Sequence, residues 1–207
     1  MAWITTKSGK HINTDWFEDE KAKEKQIAEN KRQADELNGN IGIGGLHKQN
    51  SEVTKGYVNS TLARRINSAL RNDQSLNEES KEVVKRLDAN MEKTTKDMIV
   101  YREVGIDSLV EQMAKVKPET NTFNALKKAL VGKSFTDKGY YSSYYEKTNN
   151  QYDNTVLETR VRKGTPAILT SNDKEKEVIL GRNGVYKILD VNQTDDGFHI
   201  IVERREN

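Results

Sequence analysis

Three short runs in the C-terminal half decide the fold: Val156-Leu157-Glu158-Thr159-Arg160-Val161-Arg162, Pro166-Ala167-Ile168-Leu169-Thr170 and Glu175-Lys176-Glu177-Val178-Ile179-Leu180. Each is rich in Val, Ile, Leu or Thr, and Gly164 and Gly181 punctuate them, which is the pattern of strands joined by tight turns. Val185–Val191 and Phe198–Arg204 repeat it behind Gly184 and Gly197. Towards the N-terminus the period changes. Val58, Leu62, Ile66, Ala69 and Leu70 follow helical spacing, as do Val83, Val84, Leu87 and Met91. Ile106, Leu109, Val110 and Met113 predict a further helix, and Phe123, Leu126, Ala129 and Leu130 another beyond Pro118. Asn77 is a natural N-cap, and the acids that follow it suit the positive end of a helix dipole. Met98–Val104 is a short, mostly apolar run that predicts a buried strand. Helices first and strands last make the fold class α+β rather than alternating α/β.

The 207 residues suffice for one full domain plus an appendage. Charged residues make up 32% and hydrophobic ones 34%, so a well-filled core requires part of the chain to stay outside it. Residues 1–37 read as a charged N-terminal arm, helical or partly disordered, since apolar positions between Trp16 and Leu37 are few and poorly periodic. Asn38 to Gly45 is rich in Gly and Asn, which predicts a linker over 38–52 and a domain over 53–207. A net charge of +2 argues against a nucleic-acid or membrane-surface binder. No run is long enough for a transmembrane helix, and the first ten residues lack a signal-peptide core. The absence of cysteine excludes disulfides and thiolate chemistry, and three scattered histidines, His11, His47 and His199, do not suggest a metal site.

Three places could carry chemistry. On a strand, Glu175 and Glu177 share one face while Val178 and Leu180 take the other, giving two coupled carboxylates or an ordinary surface pair. Arg102, inside the run Ile99–Val104, is costly unless paired, so it is either a salt-bridge partner or a planar fork for phosphate. Phe135-Thr136-Asp137-Lys138-Gly139-Tyr140-Tyr141-Ser142-Ser143-Tyr144 is either a strand with an aromatic face on the core or a stacking wall for a ligand.

The order of these pieces resembles the mono-ADP-ribosyltransferase family, in its branch with an arginine, a Ser-Thr-Ser and a Glu-x-Glu motif. The matching pieces are Tyr57 with Ile66-Asn67-Ser68-Ala69-Leu70-Arg71, then Ile99–Gly105, Phe135–Ser143, Leu157–Thr165 and Glu175–Leu180. The resemblance implies a two-sheet β core in which NAD+ is a substrate and neither a cofactor nor a metal takes part. It implies that Glu177 is the catalytic glutamate, oriented by Ser142, and that Glu175 selects arginine as the acceptor. It further implies that Arg102, Asn67, Arg71, Ser142, Ser143, Arg160 and Glu177 bind NAD+, and that Asn172 and Asp173, in the loop before Glu175, join Glu175 in meeting the target protein. The chain departs from the family in three ways: Tyr144 replaces the last serine, Ala63 replaces an aromatic, and the loop 171–174 is short.

The opening Trp3–Ile12 is similar to tails of phage minor head proteins. That likeness implies a prophage-encoded, virion-associated enzyme, whose arm meets a capsid or portal and which reaches a host or target-cell cytoplasm. Two other activities remain open: hydrolysis of NAD+ by water alone, and a non-catalytic head accessory.

Overall fold

The computed structural model describes residues 3–5, 11–13, 44–58, 60–119, 122–146, 155–171, 176–195 and 197–205. Most of the charged arm expected over 1–37, helical or partly disordered, lies outside the described residues. Further upstream, β1 (Trp3–Thr5) and β2 (His11–Asn13) pair antiparallel, separate from the main sheet.

The helical half follows its caps. A short helix, α1 (Ser51–Thr54), starts at Asn50. In α2 (Thr61–Arg71) the Ser60 hydroxyl accepts the Ala63 N–H at 3.1 Å, and Ile66, Asn67 and Ala69 are buried. In α3 (Glu78–Ala89) the Asn77 side chain accepts the Ser80 N–H at 2.9 Å, as the sequence predicts, and Val83 and Leu87 are buried. Ser108–Met113 winds as a π-helix although its apolar residues have α spacing. α4 (Phe123–Leu130) begins at Thr122, which accepts the Ala125 N–H, and it carries Lys127 and Lys128 in its last turn, where the dipole favours cations.

Residues 44–52, assigned to the linker by composition, are tied down. Gly44 accepts the Thr95 N–H, Gln49 donates to Leu169 and Leu46 is buried. Gly44 and Gly45 both have positive φ, and a Cβ on Gly45 would meet Thr95 Oγ1 at 2.0 Å. Here the glycines serve a close approach of chains rather than flexibility.

Nine strands form one hydrogen-bonded array: β3 (Glu92–Lys93), β4 (Met98–Val104), β5 (Ser134–Asp137), β6 (Tyr141–Tyr144), β7 (Thr155–Val161), β8 (Pro166–Leu169), β9 (Glu177–Leu180), β10 (Gly184–Thr194) and β11 (Gly197–Arg205). Their order is β3-β8-β9-β6-β4-β7-β11-β10-β5, with β7 and β11 parallel and every other pairing antiparallel. The expected two sheets are thus the halves of one array. They meet where β4 and β6 share a single register pair, Tyr101 with Tyr144.

The halves pack on each other. The main core takes Leu169, Val178, Leu180 and Tyr141 from one half and Leu157, Val161, Tyr186, Ile188, Ile200 and Val202 from the other. Tyr141 stacks on Tyr186 with centroids 4.5 Å apart, and Phe135 stacks on the same ring at 5.2 Å. Such pairs contribute about 0.5–1.5 kcal/mol each beyond burial. On the other face of β8 and β9, Ile168 and Ile179 join Tyr57, Ile66, Val83, Leu87 and Tyr140 in a second cluster under α2 and α3. Burial on both faces explains why these strands read as continuous apolar runs. No helix among the described residues is long and apolar enough to cross a membrane.

Candidate active site

Glu177 opens β9 and shares the helix-facing side of the sheet with Ile179. Ser142 of β6 is paired with Ile179, so it projects on the same side, one diagonal step from Glu177. The Ser142 hydroxyl donates to Glu177 Oε1. Glu177 is buried in its strand, so a hydroxyl donor there fixes the orientation of its carboxylate.

Arg102 lies on the core-facing side of β4 with Met98, Val100 and Val104. Its guanidinium carbon stands 4.6 Å from the centroid of the Tyr141 ring, and Nη1 lies 3.6 Å from Asp137 Oδ2. That Nη1 is buried and makes no hydrogen bond among the described residues, its carboxylate neighbour lying just beyond hydrogen-bond distance. Arg71, the last residue of α2, grips the same carboxylate at two points, with Nε to Oδ1 at 2.8 Å and Nη2 to Oδ2 at 2.9 Å. Burial works to lower the Arg71 pKa, but the hydrogen bonds and charge of Asp137 outweigh it and push it above its ordinary value.

Asn67 binds the turn between β5 and β6. Its Oδ1 accepts the Tyr140 N–H at 2.8 Å and its Nδ2 donates to the Tyr57 hydroxyl at 2.8 Å. Gly139 packs so closely that a Cβ would meet Asn67 Oδ1 at 2.7 Å. Asn67 therefore ties the β5–β6 turn to Tyr57. Burial raises the Tyr57 phenol to about 12; its Asn67 hydrogen bond, Arg102 and Arg71 act in the lowering direction, and Glu177 in the raising one. The Tyr57 hydroxyl is thus within electrostatic reach of Glu177, Arg102 and Arg71.

Three expectations are corrected. Arg160 does not join this group: Leu157 and Val161 of β7 enter the main core and Thr159 bonds the Tyr141 hydroxyl, so the alternate residues, Glu158 and Arg160, leave on the opposite face. Ser143 is fully buried and its hydroxyl donates to the Val178 carbonyl at 2.8 Å, which leaves it out of reach of a ligand. The strand that was to carry both glutamates begins at Glu177, and Lys176 has a φ of 52°. The extended alternation stops there, so a shared strand face for Glu175 and Glu177 no longer follows. Glu175, Asn172 and Asp173 themselves lie outside the described residues.

Asp137 and Tyr57 gained no role from sequence reasoning, although both stood in the matched motifs. The signal for Asp137 was the Asp-x-Gly turn, in which it accepts the Gly139 N–H at 2.9 Å. Its second use, between two arginines, has no local signature. Among the described residues no three His, Asp or Glu side chains gather as metal ligands.

The fold has well-defined counterparts. The Clostridium limosum C3 exoenzyme superposes with a TM-score of 0.62 at 19% identity, covering 87% of this chain and 95% of its own. C3stau2 from S. aureus, crystallised with NAD, gives 0.61 at 19% identity over 95% of this chain and 100% of its own. Plx2a, an ADP-ribosyltransferase toxin from Paenibacillus larvae, gives 0.62 at 15% identity over 94% and 100%. At these identities the likeness establishes the fold. No curated protein sequence matches the chain. The sequence profile of the ADP-ribosyltransferase exoenzyme family, however, matches residues 19–206, nearly the whole length. On that match over nearly its whole length, the chain belongs to the ADP-ribosyltransferase exoenzyme family.

Proposed function

We propose that the chain cleaves NAD+ between nicotinamide and ribose, releases nicotinamide and transfers ADP-ribose to an arginine of a target protein. The observation that carries this reading is the Ser142–Glu177 hydrogen bond, supported by the arginine pair on Asp137. The glycosidic bond breaks with its electron pair leaving on the nicotinamide nitrogen, and positive charge develops on the ribose. A carboxylate already oriented by Ser142 stabilises that charge without reorganising during the reaction. Arg71 and Arg102 hold the diphosphate by charge-assisted hydrogen bonds.

The arginine acceptor rests on Glu175 and on the family resemblance. A guanidinium is cationic and a poor nucleophile, so a second carboxylate is needed to hold it and take up the proton lost as its nitrogen attacks C1′ of the ribose. Asn172 and Asp173 would meet the target protein beside it. The phage likeness of the first residues supports delivery in a virion, through contact of residues 1–37 with a capsid or portal.

Incubation with labelled NAD+ and a bacterial or eukaryotic lysate tests the reading. Label on protein, lost in Glu177→Ala, is expected. Retained NAD+ cleavage without protein label in Glu175→Gln would support the acceptor assignment, whereas free ADP-ribose alone from the wild type would replace the transferase by a hydrolase. Absence of the chain from blotted virions would end the virion-delivery reading.

A further inference from the structure

We propose that Asp137 is the positioning residue of the diphosphate site, setting the spacing and direction of Arg71 and Arg102. The inference rests on the NAD+ reading above. Arg71 ends a helix and Arg102 stands on a strand of a different part of the fold. Both side chains are long, and nothing in their own elements brings the two cations together. The Asp137 carboxylate does. It is 3% exposed, while the Arg71 and Arg102 side chains keep 37% and 22% of their surface open. The anchor is thus buried, while part of each arginine side chain stays exposed.

Asp137 is itself fixed independently of the arginines. The Gly139 N–H reaches its Oδ1 at 2.9 Å, and Phe135, two residues back on the same face of β5, is stacked on Tyr186. A carboxylate held by backbone and core imposes its position on two flexible guanidiniums, rather than following them. Its single negative charge offsets one of two positive charges, so the pair can stand together and still carry a net positive charge towards a diphosphate. Arg71 uses its fork on Asp137 in a bidentate grip, whereas Arg102 meets it only through Nη1 at 3.6 Å. Arg102 is therefore the freer of the two to turn towards an incoming phosphate, with Arg71 as its fixed neighbour.

Asp137→Asn preserves size and leaves an oxygen for the Gly139 N–H while removing the charge. With the full chain, the KM for NAD+ and the Kd for ADP should both rise about tenfold or more, with kcat for NAD+ cleavage within about threefold. In that background Arg71→Lys should add less than it does in the wild type, because the two residues act as one unit. An unchanged KM and Kd, or a fall in kcat alone, would overturn the proposal while leaving the NAD+ reading intact. A wild type that binds neither NAD+ nor ADP would remove that reading and this inference with it. If Asp137→Asn does not fold, the Arg71→Lys and Arg102→Lys cycle decides: coupled losses in ADP affinity support a shared anchor, and strictly additive losses overturn it.

Discussion

Arg102 and Arg160 stand on hydrogen-bonded neighbouring strands, and they illustrate how differently one side chain is used on the two faces of a sheet. In the register of β4 and β7, Arg102 lies opposite Leu157 and Arg160 opposite Ile99. Residues 99 and 102 differ by an odd step, so the two arginines leave on opposite sides. On the inner side Arg102 meets the Tyr141 ring and the Asp137 carboxylate, which the Gly139 N–H holds. On the outer side Arg160 shares a face with Ile99, Tyr101 and Val156, and with Glu158 and His199, which pair at 3.0 Å between Oε2 and Nε2. Both faces combine cations, carboxylates and tyrosine rings. Among the described residues, the inner face brings two partly exposed guanidiniums, Arg71 and Arg102, onto a common acceptor, Asp137.

The largest effect that would sharpen the contrast is at Glu177. Glu177→Ala should lower kcat for NAD+ cleavage by about 10²–10³-fold, the scale for losing a preorganised electrostatic group, as read from nicotinamide release. Next comes the arginine pair itself. Arg102→Lys should raise the KM for NAD+ by about tenfold or more, because an ammonium cannot reproduce a planar fork. Arg160→Lys should leave that KM within about twofold, and equal losses in the two variants would break the comparison.

On the outer face, Glu158→Gln should cost about 1–3 kcal/mol in denaturant unfolding by removing the charged partner of His199, with the KM for NAD+ unchanged. Ser142→Ala should reduce kcat by about tenfold with little change in KM, since the hydroxyl acts through Glu177 rather than on NAD+.

The smallest effect is at Tyr57. Tyr57→Phe removes the hydrogen bond from Asn67 and should cost about 1 kcal/mol at neutral pH. It also changes the alkaline limb. Burial raises the Tyr57 phenol from 10.0 to about 12, so the folded state keeps a proton that the unfolded state gives up. The corresponding stability is complete below pH 10 and is lost as pH climbs towards 12. Between those limits the wild type should lose more stability than Tyr57→Phe, measured by denaturant titration at each pH.

The element inventory was legible because periodicity is local. Met98–Val104 is a strand over the span its apolar run indicates, and Asn77 caps the helix it precedes. Caps and alternation depend on residues a few positions apart, so they survive translation from string to structure. The resemblance to a known motif order singled out Arg102, Ser142 and Glu177, although nothing in composition or spacing alone would have chosen them over Arg160 or Ser143.

What failed to be legible was long-range. Ser143 lies beside Ser142, yet strand alternation turns it into the core, where the Val178 carbonyl takes its proton. Gly44 and Gly45 looked like a linker until Thr95, about fifty positions away, was found against them. By itself the sequence determined most of the helices and strands, because short-range sterics and burial set those. The tertiary structure alone decided which arginine faces the cleft and which carboxylate holds it. Arg71 and Asp137 are 66 positions apart, and only the packing of a helix against a distant strand turns that separation into 2.8 Å.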